Sequence, residues 1–352
     1  MLKKTSVALC VAACITTLGA GSALADESTS VGGRMYADFT NIQQKSDDVK
    51  TPATGTGIDV KRFYLIVDHK FDDIWSANLT TDFNYVGNDG ETQVFIKKAY
   101  VQAKLSDAFV ARAGSADTPW VPFVEGLYGY RFLENTLIDR LKFGTSADWG
   151  LNANGKLASG MANYSVSLLN GNGYKNPSRS KQVDVEGRIG FVPMEGLTLA
   201  AGFYSGKLGK DVEGGADTRT ADRFDALAAY SKDGLRLGAE FFTAKNWNSV
   251  LISATEDKAD GYSVWASYDF NPQWGAFVRG DWAKTSKDIN PDLKDEYFNV
   301  GVVTHARKNV DVAFAYKHEK ADNGFVSTSN GTIGGASDGK YDEVGVWAQV
   351  QF

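Results

Sequence analysis

The last ten residues, Glu343-Val344-Gly345-Val346-Trp347-Ala348-Gln349-Val350-Gln351-Phe352, decide the fold. Successive side chains of an extended chain point to opposite faces, so a period of two sorts them. Val344, Val346, Ala348, Val350 and Phe352 fall on one face, and Glu343, Gly345, Trp347, Gln349 and Gln351 on the other. Segment 75–85 repeats the pattern, with Trp75, Ala77, Leu79, Phe83 and Tyr85 opposite Ser76, Asn78, Thr80, Asp82 and Asn84. In 182–191, Val183, Val185, Ile189 and Phe191 oppose Gln182, Asp184, Glu186 and Arg188.

Working outward, the same period predicts sixteen strands. They cover 30–40, 60–71, 75–85, 93–105, 108–117, 148–157, 161–169, 182–191, 197–206, 223–230, 235–244, 262–270, 274–283, 295–305, 310–319 and 341–352. Most approach the ~9–11 residues with which a tilted strand crosses a bilayer. Short turns alternate with long connections at 41–59, 86–92, 118–147, 170–181, 207–222, 245–261, 284–294 and 320–340. A soluble sandwich has no reason to gather every short turn at one end; an outer-membrane barrel does.

The faces point the same way. Aromatic residues sit near both ends of an Ala-, Val- and Leu-rich band: Phe71, Trp75, Phe191, Tyr230, Phe270 and Phe352 near the short turns. Phe39, Tyr85, Phe203, Phe241, Tyr262, Trp282 and Tyr316 lie near the long connections. Two such girdles suit two lipid interfaces. Lipid offers no partner for an unpaired strand edge, so the sheet must close, and sixteen strands enclose a lumen too wide for side chains to fill. The expected fold is all-β, a sixteen-stranded antiparallel transmembrane β-barrel.

Composition agrees. The 352 residues are 43% hydrophobic and 23% charged, with 37 Gly, only 7 Pro, 15 Tyr and 20 Phe, a balance that favours strands and turns over disorder or helices. Lys3, Lys4, the apolar run Val7 to Leu18 and Ala23-Leu24-Ala25 predict a signal peptide over 1–25, leaving 26–352 as a single barrel domain. Val11-Ala12-Ala13-Cys14 loosely resembles a lipidation box, but cleavage there leaves too short an apolar region. Losing two lysines moves the net charge from −6 to −8, which argues against nucleic acid as a partner. Cys10 and Cys14 both lie in the leader, so the mature chain has no disulfide, thiol catalysis or cysteine metal site.

Several short motifs carry a resemblance: Gly33-Arg34-Met35-Tyr36-Ala37-Asp38, Lys61-Arg62-Phe63-Tyr64-Leu65-Ile66-Val67, Lys98-Ala99-Tyr100-Val101 and Thr118-Pro119-Trp120. With the sixteen strands and terminal Phe352, they make the chain similar to a Gram-negative outer-membrane porin, and more narrowly to the phosphate-selective porin O/P-like family. The resemblance implies a homotrimer of channels and an assembly signal at Phe352 read by the barrel-assembly machinery. It also implies a third loop, 118–147, that folds into the barrel and narrows it. Phosphate selectivity does not carry over, because that specialisation needs a dense arginine ladder and a lysine cluster, and the lumen here is mixed.

The register places Arg34, Arg62, Lys98 and Arg112 on inward faces, and likewise Asp82, Asp184, Glu186, Asp225, Glu240, Asp269 and Asp281. Opposed basic and acidic walls would set a transverse field across the water column. Loop 118–147 is too apolar for a solvated loop; its charges Glu125, Arg131, Glu134, Asp139, Arg140 and Lys142 are candidates for the constriction, and 132–141 could form a short helix. Lys97 takes a lipid-facing place, snorkelling to lipopolysaccharide phosphates, unless a bulge turns it.

The expected function is passive diffusion of ions and small polar solutes without a cofactor, with a weak preference for small anions. The alternative is a sugar channel whose rings Tyr36, Tyr64, Tyr100 and Trp265 stack on pyranoses. An outer-membrane hydrolase would need a serine beside His318, and the outward neighbours Glu296, Phe298, Asp342 and Val344 supply none. Three scattered histidines give no metal site, and acidic loops such as 207–222 lack calcium-loop spacing. A receptor barrel would bring a plug before strand one, for which about five residues leave no room.

Overall fold

A computed structural model describes residues 27–84, 92–252 and 255–352 of the chain; the signal peptide, Tyr85 and most of the connection 86–92 lie outside them. Sixteen long strands follow one another: β1 Ser28–Ser46, β2 Gly55–Lys70, β3 Trp75–Asn84, β4 Gln93–Ser106, β5 Phe109–Asp117, β6 Ala147–Leu157, β7 Ala162–Leu169 and β8 Asp184–Met194. The second half runs β9 Leu197–Gly206, β10 Ala221–Lys232, β11 Leu235–Lys245, β12 Lys258–Asn271, β13 Trp274–Lys284, β14 Lys294–Arg307, β15 Val310–Thr328 and β16 Gly331–Gln351. Each pairs antiparallel with the next, and β16 pairs with β1 from Arg34↔Gln351 to Ser46↔Gly339, which closes the ring.

The outside is apolar. Val344, Phe314, Val300, Val278 and Val264 are 40–57% exposed, while Glu343, Lys317, Asn299, Arg279 and Ser263 on the alternate face are 0–2% exposed. Among the described residues the girdle aromatics are exposed, except that Tyr230 is half-buried. At the seam, Gly33 and Phe352 exchange backbone hydrogen bonds of 2.8 and 3.1 Å, and the Phe352 ring lies 6.2 Å from that of Phe63.

Three expectations need correction. Two connections expected as loops, 41–59 and 320–340, are largely strand: β1 continues to Ser46, a two-residue strand Val49–Lys50 pairs back on it, and β15 and β16 turn only at Ser329-Asn330. Backbone pairing continues there although the strict apolar–polar alternation has given way to a mixed one. The helix expected at 132–141 reduces to one turn, α2 Leu137–Arg140, and the longer helix is α1 Val121–Tyr128. Pro122 pre-sets the first turn of α1, and Gly129 ends it at a positive φ of 82° that a Cβ would oppose.

Lys97 is the third. Between β3 and β4 the register shifts, Thr80 facing Lys98 and Thr81 facing Ile96, so Lys97 is the extra residue of a β-bulge. The bulge breaks the alternation and turns Lys97 away from lipid; it is 8% exposed.

Candidate permeation site

The ends of connection 118–147 are tied together, the Thr118 hydroxyl donating to the Thr145 carbonyl at 2.5 Å. Within it, Trp120 is wholly buried and donates from Nε1 to Glu240 at 2.8 Å. Arg140 donates to Asp281, Asp295 and Glu319 at 3.0, 2.5 and 2.6 Å, and all four side chains are 0% exposed. The wall reciprocates: Arg223 donates to the Phe143 carbonyl at 2.5 Å and Arg279 to that of Asn135 at 2.6 Å. These groups belong to the polar faces of β10, β11, β13, β14 and β15, so a connection rooted on β5 and β6 bonds to the far side of the ring.

That contact decides what the acidic residues can do. Asp184, Glu186, Asp225, Glu240 and Asp281 are 0–3% exposed. Arg223 holds Glu186 and Asp225, each at 2.9 Å, and Arg279 holds Asp281 at 2.7 Å. Asp184 accepts from the Tyr204 hydroxyl at 2.5 Å and the Lys207 amide at 2.7 Å. Buried carboxylates need such partners, because an uncompensated charge out of water is costly. Asp82 is buried beside Arg62 (3.3 Å), and only Asp269 is half-exposed, 3.4 Å from His305. Apart from Asp269, the acidic residues of the sequence reading are therefore buried, some ion-paired with arginine and others, Glu240 and Asp184, held only by neutral donors.

The basic residues stand differently. Arg34 reaches the Gln351 side chain at 3.4 Å, Lys98 pairs with Asp117 at 2.7 Å, and Arg112 bonds Gln102 at 2.8 Å with its guanidinium over the Tyr100 ring. Lys97 donates to the Tyr64 hydroxyl at 3.2 Å and sits over that ring at 4.7 Å and over Tyr174 at 5.8 Å. Of the connection's own charges, Arg131 pairs with Glu125 at 2.5 Å and Asp139 at 3.5 Å, and Lys142 reaches Ser327 at 2.8 Å.

The tip of the β15–β16 hairpin meets the same connection. Glu134 accepts from Ser329 (2.7 Å) and Asn330 (3.0 Å) and lies 3.5 Å from Lys317, while the Ser329 amide donates to the Arg140 carbonyl at 2.8 Å. Burial alone would push the Glu134 carboxyl up, but Lys317 and the two donors outweigh it and hold it at about 2.

Two cavities flank this layer. One, toward the short turns, is lined by the four cations Arg34, Lys97, Lys98 and Arg131 against two carboxylates, Asp117 and Glu125. The other, toward the long connections, has six cations (Lys61, Arg62, Arg131, Lys142, Lys175 and Lys317) against Asp59, Glu134 and Asp139. Tyr36 and Arg131 line both. The sequence reading named Arg131 but could not place it at this junction.

Of the rings of the sugar-channel alternative, Trp265 packs against Tyr128, and Tyr100 is half-buried with the Arg112 guanidinium over it. Tyr36, Tyr64 and Trp265 are 3–7% exposed, and Tyr36 meets Tyr64 edge-on at 6.0 Å. His318 bonds Asp342 at 2.8 Å on the outer face. Among the described residues no cluster of three His, Cys, Asp or Glu is arranged to hold a metal.

No family model and no curated protein matches the sequence. Solved structures do match. An anion-selective porin from Comamonas acidovorans superposes with a TM-score of 0.67 at 12% identity, over 93% of this chain and 100% of that one. The outer membrane channel DcaP of Acinetobacter baumannii gives 0.65 at 13%, over 95% and 99%. The trimer form of OmpT, an outer membrane protein of Vibrio cholerae, gives 0.59 at 12%, over 93% and 99%. At such identities the likeness is one of fold, and the chain has the closed sixteen-stranded barrel of the outer-membrane porins.

Proposed function

We propose that the chain is an outer-membrane porin: a water-filled channel for passive diffusion of small hydrophilic solutes and ions, with a weak preference for anions. The carrying observation is the asymmetry of the lumen. Connection 118–147 covers the acidic wall, its Arg140 and the wall's Arg223 and Arg279 pairing with five of the carboxylates beneath, Asp281, Asp295, Glu319, Glu186 and Asp225. The two cavities that meet at Tyr36 and Arg131 are lined together by nine cations and five carboxylates. Charges that line a narrow, water-filled passage bias which ion enters it. In this reading the connection is the constriction, Arg131 its charged edge, and Arg140 the clamp that holds it.

The apolar outer face supports an outer-membrane location; in this reading a signal peptide over 1–25 directs export, and lipid and lipopolysaccharide surround the barrel. The homotrimer is supported by the trimer form of OmpT, and Phe352, exposed at the seam, suits recognition by the barrel-assembly machinery. The test is planar-bilayer recording in asymmetric KCl. Stepwise conductance with an anion-selective reversal potential is expected; a cation-selective sign overturns the preference, and absence of conductance from correctly folded protein overturns the channel.

A further inference from the structure

The last residue does more at the seam than complete the ladder. Gly33 of β1 and Phe352 lie opposite one another and exchange both backbone hydrogen bonds, at 2.8 and 3.1 Å. Gly33 is buried although it shares the outward face with Met35 and Phe39, because the Phe352 ring lies across it. A Cβ at Gly33 would overlap three carbons of that ring. Having crossed β1, the ring meets Phe63 of β2 at 6.2 Å, tilted by 41°, and Phe63 meets Phe83 of β3 at 6.5 Å and 49°. Three rings thus run across four strands, β16, β1, β2 and β3, on the outer face.

The arrangement recurs within the wall. Gly187 of β8 stands directly opposite Phe203 of β9, and Gly238 of β11 opposite Trp265 of β12; in both, a Cβ on the glycine would overlap the ring. A ring laid over a cross-strand glycine fills the space that the missing side chain leaves, and directly opposed pairs are where a sheet gains side-chain energy. Those two pairs tie strands that follow one another in sequence. Gly33 and Phe352 tie the first strand to the last.

We infer that Gly33, Phe352 and Phe63 form a clasp on the seam. Gly33 is its seat, bare of a side chain so that the terminal ring can lie across β1 and lock the ring of strands shut. This role is distinct from the assembly signal proposed for Phe352. A signal is read by another protein before closure, whereas a clasp acts in the closed barrel with no other protein present. It is also independent of what the lumen conducts. Contacts made last on folding weigh mainly on the rate of opening, so that rate is the quantity to read.

The test refolds purified protein into lipid vesicles without assembly machinery and follows thermal opening of the closed barrel by heat-modifiable mobility on gels. One aromatic contact of this kind corresponds to about threefold to tenfold in a rate. G33A should fold and then open faster than wild type by that factor, because the new methyl lifts the ring, and F352A should open faster to the same extent. The double variant G33A/F352A should open no faster than F352A, since an empty seat has nothing to lose. F63A leaves both seam residues in place, should show part of the effect, and carries the test should G33A fail to fold. The control G57A, where a Cβ on β2 meets nothing within 4 Å, should match wild type. Opening unchanged in G33A, losses that add in the double variant, or G57A opening as fast as G33A overturns the clasp. So does unchanged opening in F63A where G33A does not fold.

Discussion

Arg140→Ala is the sharpest perturbation of the constriction. The guanidinium is wholly buried and serves three buried carboxylates, Asp281, Asp295 and Glu319, at 2.5–3.0 Å. Arg279 still compensates Asp281 after the change, but Asp295 and Glu319 lose their cation. Removing one partner of a buried ion pair costs about 3–5 kcal/mol, because the remaining charge stays out of water. At about 1.4 kcal/mol per tenfold, docking of the connection weakens by between roughly a hundredfold and a few thousandfold. The remaining anchors, Trp120 to Glu240 and the donations to the Asn135 and Phe143 carbonyls, keep the segment tethered. Single-channel recordings should show a larger and noisier conductance from a barrel that still runs as folded on gels. Adding D295N and E319Q removes the stranded charges and should restore part of the quiet state. Unchanged conductance and noise in Arg140→Ala would refute the idea that this clamp holds the constriction.

Gly202→Val places a Cβ 2.5 Å from the buried Trp120 ring and should loosen the same connection from the opposite side, read again as channel noise. Phe352→Ala removes the ring beside Phe63 and should lower the yield of assembled protein in the outer membrane, measured against total protein in a pulse-chase, without altering conductance of the molecules that do assemble. Glu134 titrates at about 2, below its ordinary 4.5, so its contribution is full above that ordinary value and fades as pH falls toward 2. Open-channel conductance should therefore hold from pH 7 to about pH 4 and become unsteady only near pH 2, whereas E134Q should be unsteady throughout. Asp47 accepts the amides of Ala336, Ser337 and Asp338, which hold its carboxyl below the ordinary range. D47A should speed proteolytic nicking of the β15–β16 hairpin at neutral pH.

The strand count was legible because lipid on one side and water on the other impose a strict alternation, and Val344 to Phe352 obey it save for the inward Trp347. Where that constraint ends, so did legibility. Beyond Gln43 and His318 the alternation breaks, with Lys45, Lys320, Lys340 and Asp338 mixed among Phe325, Val326 and Ile333, so paired strands read as loops. A bulge adds one residue and no composition change, which is why Lys97 was assigned to the wrong face. The turn signals of α1, Pro122 and Gly129, were in plain view but lay outside the apolar run that drew attention to 132–141. Inward charges were assigned by parity, which sorts Asp281 and Glu240 onto the polar face. It could not show that Arg140 and Trp120, more than a hundred residues away, would cover them.

The seam joins Arg34 to Gln351, 317 positions apart along the polypeptide. Every other ladder can form between neighbours in sequence, but this one waits for the final strand, and until then the growing sheet has two raw borders. Loop-closure entropy makes that last union the slowest to gain, and open borders invite pairing with other chains. A folding chaperone or membrane catalyst that shields both borders until they meet would govern how fast the ring is sealed. The same adjacency means the circle could be cut at another short turn and rejoined across the seam with all sixteen ladders kept.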